Sequence, residues 1–316
     1  MQLCSVLCVV AALAASTASG QERQARGLPI PGADAFSVPP SLKGTDVERA
    51  LEVRDWDAAG RLLAGEIERR PDAADLLVLA GRVFLIDRKP LNAAIAIKKA
   101  EALGPIDNAA RFILVLAYLS LGRSDWARPE LDRLAAAEPS NVTYQYWLGR
   151  LDYDAGLYAA ALARFEQALA HDPGFVRAHD NLGLCHEALH DTGRAIVHYR
   201  RAIELNRQAV SKSPWPALNL GILLSQRGEL QEAEALFREA LTYDPAFAQA
   251  RYQLGVLLEQ RGRLDQAVGE LTQAAALDAA YAEPYYALAR IYRTQGRVDA
   301  ATDALAAFKR LREDPR

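Results

Sequence analysis

All five histidines of this 316-residue chain fall between His171 and His198, and one stretch among them, His186-Glu187-Ala188-Leu189-His190, spells H-E-x-x-H. On a helix, two histidines four residues apart can hold zinc from one face, with the glutamate between them acting as general base on a metal-bound water. Gly193 stands where the extended form of that motif has its glycine, but the third ligand position is Ile196, and His198 lies two residues beyond it. A zinc-dependent hydrolase built on His186, Glu187 and His190 is therefore one reading of the chain. Cys185 sits at an apolar position beside the motif and reads as a small buried hydrophobe. Asn141-Val142-Thr143 fits a glycosylation sequon, which has meaning only for a chain secreted by a eukaryotic cell.

Bulk composition narrows the classes. Hydrophobic residues make up 51% of the chain, well above a disordered composition, so most of it can bury a core. A formal net charge of -3 supplies no basic field for nucleic acid or anionic lipid. Ala, Leu, Arg and Glu dominate over β-branched residues, which favours helix.

The first residues have the character of an export signal. Leu3 to Ala15 is apolar and too short to span a bilayer, and Ala18-Ser19-Gly20 offers small residues for cleavage before Gln21. No basic residue precedes the apolar run. Removal of residues 1–20 would take Cys4 and Cys8 with it and leave Cys185 without a disulfide partner. The expected location is then secreted or periplasmic, with no membrane insertion after cleavage. Residues 21–45, with Pro29, Pro31, Pro39 and Pro40, read as a flexible lead-in.

What must position the histidines is a repeat. Leu148-Gly149, Leu182-Gly183, Leu220-Gly221 and Leu254-Gly255 recur at steps of 34, 38 and 34 residues. Ala161, Ala195, Ala233 and Ala267 follow in the same register. So do Phe165, Tyr199, Phe237 and Leu271, and then Ala168, Ala202, Ala240 and Ala274. Extension in both directions places repeat starts near residues 74, 108, 142, 176, 214, 248 and 282, with a degenerate repeat near 40. The small residues let two helices approach closely, Gly122, Gly156, Gly228, Gly262 and Gly296 end the first helix of a pair, and Pro105, Pro139, Pro173 and Pro245 close repeats. The 38-residue repeat at 176 carries its surplus in Arg207 to Ser213, which reads as one added helical turn and a longer loop. Phe308, where the other repeats have a small residue, reads as an end cap.

These columns resemble the tetratricopeptide-repeat (TPR) family over about residues 40 to 311. The resemblance implies an all-α fold, a right-handed TPR superhelix (α-solenoid) of about seven to eight helix-turn-helix repeats occupying residues 46–316. It further implies a non-catalytic scaffold that holds a protein or extended peptide in its concave groove, with no cofactor and no nucleic acid. In the family that groove is lined by the first helix of each repeat. Carried over position by position, the lining residues are Arg82, Phe112, Tyr146, Arg150, Tyr153, Trp215, Tyr252, Tyr286 and Arg290, with Tyr146, Arg150, Tyr252 and Tyr286 expected to be at least partly exposed. Asn181 and Asn219 hold one position in successive repeats, as in TPR arrays that grip a peptide backbone through amides. No repeat has the Lys and Asn pair of the chaperone-binding subclass. A structural subunit of an envelope or secretion assembly is the third reading. On the export expectation, N-terminal sequencing of protein from native cells should begin at or within a few residues of Gln21; a chain beginning at Met1 would contradict it.

Overall fold

The computed structural model describes residues 38–313. The export signal, Cys4, Cys8 and most of the lead-in lie outside those residues. Within them the chain forms a short 3-10 turn, Pro40–Leu42, and then helices in antiparallel pairs, with no strand. The pairs are α1 (Asp46–Glu52) with α2 (Trp56–Arg69), α3 (Ala74–Ile86) with α4 (Pro90–Leu103), and α5 (Asn108–Ser120) with α6 (Ser124–Ala137). Then come α7 (Val142–Asp154) with α8 (Tyr158–His171), α9 (Val176–Ala188) with α10 (Thr192–Gln208), and α11 (Trp215–Gln226) with α12 (Leu230–Tyr243). The last are α13 (Ala248–Gln260) with α14 (Leu264–Leu277) and α15 (Glu283–Thr294) with α16 (Val298–Glu313). Helix A of the full repeats begins at residues 74, 108, 142, 176, 215, 248 and 283. The odd-numbered helix of a pair is called helix A and the even-numbered one helix B, and positions are counted from the repeat start. Two compact units divide the chain after Arg164, inside α8, and each is described by itself.

In the repeats at 74, 176, 214 and 248 the helix pair closes because position 8 of helix A has no side chain where position 24 of helix B arrives; Val115 and Ala289 hold that position in the repeats at 108 and 282. A Cβ on Gly81 would lie 2.5 Å from Ile97, one on Gly221 2.6 Å from Phe237, and one on Gly255 2.7 Å from Leu271; Gly183 is as tight against Tyr199. Ala93, Ala195, Ala233 and Ala267 of helix B are fully buried alongside. At the end of helix A the chain turns through a left-handed residue. Gly122, Gly156, Gly228, Gly262 and Gly296 have φ between 68° and 81°, and the next N–H returns to the carbonyl at position 11, as in Arg123 N–H to Tyr118 O at 2.8 Å. Arg88 and His190 hold the same position with φ 56° and 61°.

In the first unit, Leu42, Val47, Leu51, Leu63, Leu76 and Val83 form a buried cluster over α1–α3. The expectation of a flexible lead-in up to residue 45 is corrected here. Leu42 is fully buried, and Thr45 caps α1 by accepting from the Glu48 N–H, so residues 42–45 are part of the folded array. The degenerate first repeat has, as expected, a short helix A of seven residues. In the second unit one core runs from Ala195 through Leu220, Phe237, Leu254 and Leu271 to Ala304.

The insertion after α10 is one added turn and a loop: α10 has 17 residues where α12 and α14 have 14. Asn206, buried, closes that loop reciprocally. Its Nδ2 donates to the Ser213 carbonyl and its Oδ1 accepts from the Ser213 N–H, both at 2.8 Å. At the C-terminal end Phe308 packs on Tyr286 of its own repeat, with ring centroids 5.2 Å apart.

The glycine contact gives a paired prediction. Gly221→Ala should lower stability by about 1–3 kcal/mol, because the new methyl overlaps the Phe237 ring. Gly269→Ala, in α14 with open space around its Cβ, should raise stability by about 0.5–1 kcal/mol. Equal effects of the two in chemical denaturation would contradict the assigned contact.

Candidate partner-binding faces and the histidine cluster

The residues expected to line a groove divide into two sets. Phe112, Tyr146, Arg150 and Asn181 are buried, at 3%, 2%, 6% and 1% exposure, so the expectation that Tyr146 and Arg150 are exposed is corrected. Phe112 packs on Tyr144 of the next helix A, with centroids 5.3 Å apart. Tyr146 meets Trp147 edge-on, and the Arg150 guanidinium pairs with Asp154 at 3.2 Å and lies over the Tyr153 ring. Asn181 donates to the carbonyl of Arg177 one turn back, and Asn219 donates to Asp180 of α9 at 2.9 Å. The Asn219 amide thus joins α11 to α9, and the Asn181 amide bonds within its own helix.

The second set keeps accessible surface. In the second unit Tyr286 is 50% exposed and Arg290 is exposed, forming a forked ion pair with Glu259 of α13 at 2.7 and 2.5 Å. Tyr252 is half-buried against Tyr281, and Trp215 stands edge-on to Phe247 at 4.9 Å. Burial pushes the Tyr252 phenol pKa up. In the first unit Tyr153 is half-buried against Tyr158, and Arg82 is half-buried with its Nε enclosed and without a hydrogen-bond partner.

The H-E-x-x-H residues do not converge. α9 ends at Ala188, and His190 lies beyond it, exposed, in the left-handed conformation. Glu187 instead accepts from the Tyr199 hydroxyl of α10 at 2.9 Å; burial raises its pKa and that bond partly offsets the rise. Among the described residues, no group of three or more His, Cys, Asp or Glu side chains is placed to hold a metal ion. His186, His190 and Glu187 thus have separate roles: a core ring, a turn residue and a hydrogen-bonded acid. Cys185 is fully buried, as its position suggested.

His186 belongs to a different cluster. Its ring stacks on His198 of α10 with centroids 5.3 Å apart and planes 12° apart, and His198 stacks in turn on His179 of α9 at 5.7 Å. His179 Nδ1 and His198 Nδ1 are 3.4 Å apart, and His179 Nε2 meets the Pro173 carbonyl at 3.2 Å. Burial holds all three below the ordinary histidine pKa, and burial together with its two histidine neighbours lowers His198 to about 4.

His179 and His198 occupy a slot that other repeats fill differently. Position 4 of helix A meets position 23 of helix B, 19 residues on: Arg111 with Glu130, Gln145 with Arg164 at 3.2 Å, and Arg251 with Glu270 at 2.8 Å. The position 4 side chain also reaches the closing proline's carbonyl, as Gln145 does at Pro139 and Arg251 at Pro245. Sequence reading missed this slot, although the shared 19-residue offset was there to be read.

Antiparallel helix pairs joined by left-handed turns, with small residues at the crossing, define a helical-repeat protein whose accessible functional groups lie on side-chain faces. Tetratricopeptide-repeat profiles match residues 112–154, 175–246, 224–272 and 282–315, and the chain belongs to the TPR family. Its fold is similar to that of PilW, described as a widely conserved type IV pilus biogenesis factor. The TM-score is 0.56 at 18% identity, over 63% of this chain and 90% of PilW. It is similar also to a TPR protein from Parabacteroides merdae (TM-score 0.57, 18% identity, 75% of this chain and 93% of that one). A third similar structure is pilF of Pseudomonas aeruginosa (TM-score 0.54, 21% identity, 68% and 96%). Comparison with curated proteins gives no match.

Burial makes the two sets distinguishable by stability. Tyr146→Ala should cost about 3–5 kcal/mol as a core truncation, whereas Tyr286→Ala should change stability by no more than about 0.5 kcal/mol. His190→Gly should stabilise by about 1 kcal/mol by relieving the left-handed backbone. Thermal or urea melts of the three variants check all of this, and an unchanged midpoint for Tyr146→Ala would contradict its placement in the core.

Proposed function

We propose that the protein is a non-catalytic scaffold that binds a protein or an extended peptide through its helix A faces. The observation that carries this reading is the run of large side chains left accessible on consecutive helices A of the second unit: Trp215, Tyr252, Tyr286 and Arg290. Aromatic and Arg side chains are the types that dominate interface energetics, because they offer large rigid area together with a polar tip. The packing columns of the repeat are filled by other residues, and these four keep accessible surface beside them, with Trp215 and Tyr252 resting one side on the core. Arg290, already paired with Glu259, would present a fixed charge pair rather than a lone cation, which suits a polar peptide backbone better than an anion. In the first unit Tyr153 and Arg82 are the corresponding half-buried residues. Phe112, Tyr146, Arg150, Asn181 and Asn219 would act as support beneath this surface.

The reading includes export and a secreted or periplasmic location, on the strength of the N-terminal composition. Among the described residues, no helix is long and apolar enough to cross a membrane. The pilus role printed for PilW belongs to that protein, and the likeness at 18% identity is one of fold.

The test is selection of extended peptides from a display library on the purified protein, followed by affinity measurement with a selected peptide. Tyr252→Ala and Tyr286→Ala should each weaken binding by about tenfold or more, the scale of an interface anchor. Gln273→Ala, exposed on helix B, should bind as the parent does. Failure to select any peptide, or equal affinity across the set, would overturn the proposal.

A further inference from the structure

We propose that the His179–His198–His186 stack is a proton-operated latch between α9 and α10, closed when the imidazoles are neutral and released on mild acidification. Where Arg111 meets Glu130 and Arg251 meets Glu270, position 4 and position 23 carry fixed charges of opposite sign, so the contact holds over a wide pH range. In the repeat at 176 the same slot holds two bases of one kind. Two bases can share a hydrogen bond when neutral, but they become like charges when both are protonated.

The hydrogen bonds specify the neutral arrangement. The Pro173 carbonyl can only accept, so His179 Nε2 carries the proton there. Neutral His179 then presents a bare Nδ1, and His198 Nδ1–H donates to it. A proton added to His179 has to go on Nδ1, which sets two N–H groups face to face and breaks the bond. A proton added to His198 goes on Nε2 and places a cation on the stacked His186 ring. Each route to a charged cluster costs a contact between α9 and α10.

No neighbouring acid favours a charge on His179 or His198. On α10, Arg201 opposes protonation of His179, and Arg194 opposes that of His186. Asp191, in the turn, and Glu166, on α8, favour a charge on His186 alone. Glu187 on α9 is engaged by Tyr199 of α10, and Asp180 on α9 accepts from Asn219 of α11. All three histidines are held below their ordinary pKa in the folded protein. The opened helices therefore take up protons more readily than the closed ones. The latch is fully closed above about pH 6.5, the unperturbed histidine value, and its contribution is lost as pH falls toward about 4, the folded value for His198.

The test is amide hydrogen exchange on the full chain at about pH 7 and about pH 5, corrected for intrinsic exchange, comparing α9–α10 with α13–α14 in the same molecule. Protection of α9–α10 should fall by about tenfold more than that of α13–α14, as expected when a proton must be accepted by a group shifted by about one pKa unit or more. The double variant His179→Arg with His198→Glu installs the fixed pair of the repeats at 108 and 248 and should hold its protection. His198→Gln, which keeps a donor at that site without titrating, should do the same and serves if the double variant does not fold. The proposal is overturned if the two helix pairs lose protection in parallel, or if the non-titrating variant that folds loses α9–α10 protection as the parent does.

Discussion

The structure depends on one close approach. In the repeats at 74, 176, 214 and 248 a glycine at position 8 lets a ring or branched side chain from position 24 lie directly on the backbone of helix A, as Tyr199 lies on Gly183 and Phe237 on Gly221. No Cβ fits there. Because the contact is backbone against side chain, it sets the distance and the axial register of the pair at once, and the left-handed turn of fixed length that joins the helices has to match it. No repeat buries its remaining apolar face alone, so consecutive pairs pack through Leu220, Leu254 and Leu288, and stability within a unit spreads from neighbour to neighbour.

Polar pairs then act on a register already set. Some bridge consecutive repeats about one period apart, such as Arg200 with Glu232 and Arg207 with Glu239. Others lock helix A to helix B at the 19-residue offset, as Arg251 and Glu270 do. Exposed pairs of the first kind contribute little each, on the order of 0–1 kcal/mol. Those of the second kind are better shielded and also engage the carbonyl of the closing proline, so one side chain satisfies two parts of the repeat.

The register could be read from the sequence because it is written in small residues at fixed intervals, and these are costly to replace. Helix starts at residues 74, 108, 142, 176 and 248 follow from Gly81, Gly183, Gly255 and the alanines of helix B, and the turn at His190 follows from its place in the glycine column. Exposure was less legible. Position 5 carries Tyr146 in one repeat and Tyr286 in another, yet the first is buried and the second half exposed, because the difference lies in what neighbouring elements cover. The two amides at position 6 looked like ligand donors, and only three dimensions show Asn219 turned to Asp180 across 39 residues of sequence. The reciprocal closure of the inserted loop by Asn206 gave no local signal either.

The histidines show how a motif misleads when its register is ignored. H-E-x-x-H straddles a helix end, so its two imidazoles part company, and His186 joins His198 and His179 through a spacing that no metal motif contains. The common element is the slot between positions 4 and 23, which accepts an ion pair, an amide with a guanidinium, or two imidazoles. Long-range ¹H–¹⁵N correlation spectra of the imidazole rings at neutral pH test that assignment most directly, since each ring nitrogen reports its own protonation. The account predicts His179 with its proton on Nε2 and His198 with its proton on Nδ1, each as a single fixed tautomer. Two rings averaging between tautomers, or both protonated on Nε2, would contradict it.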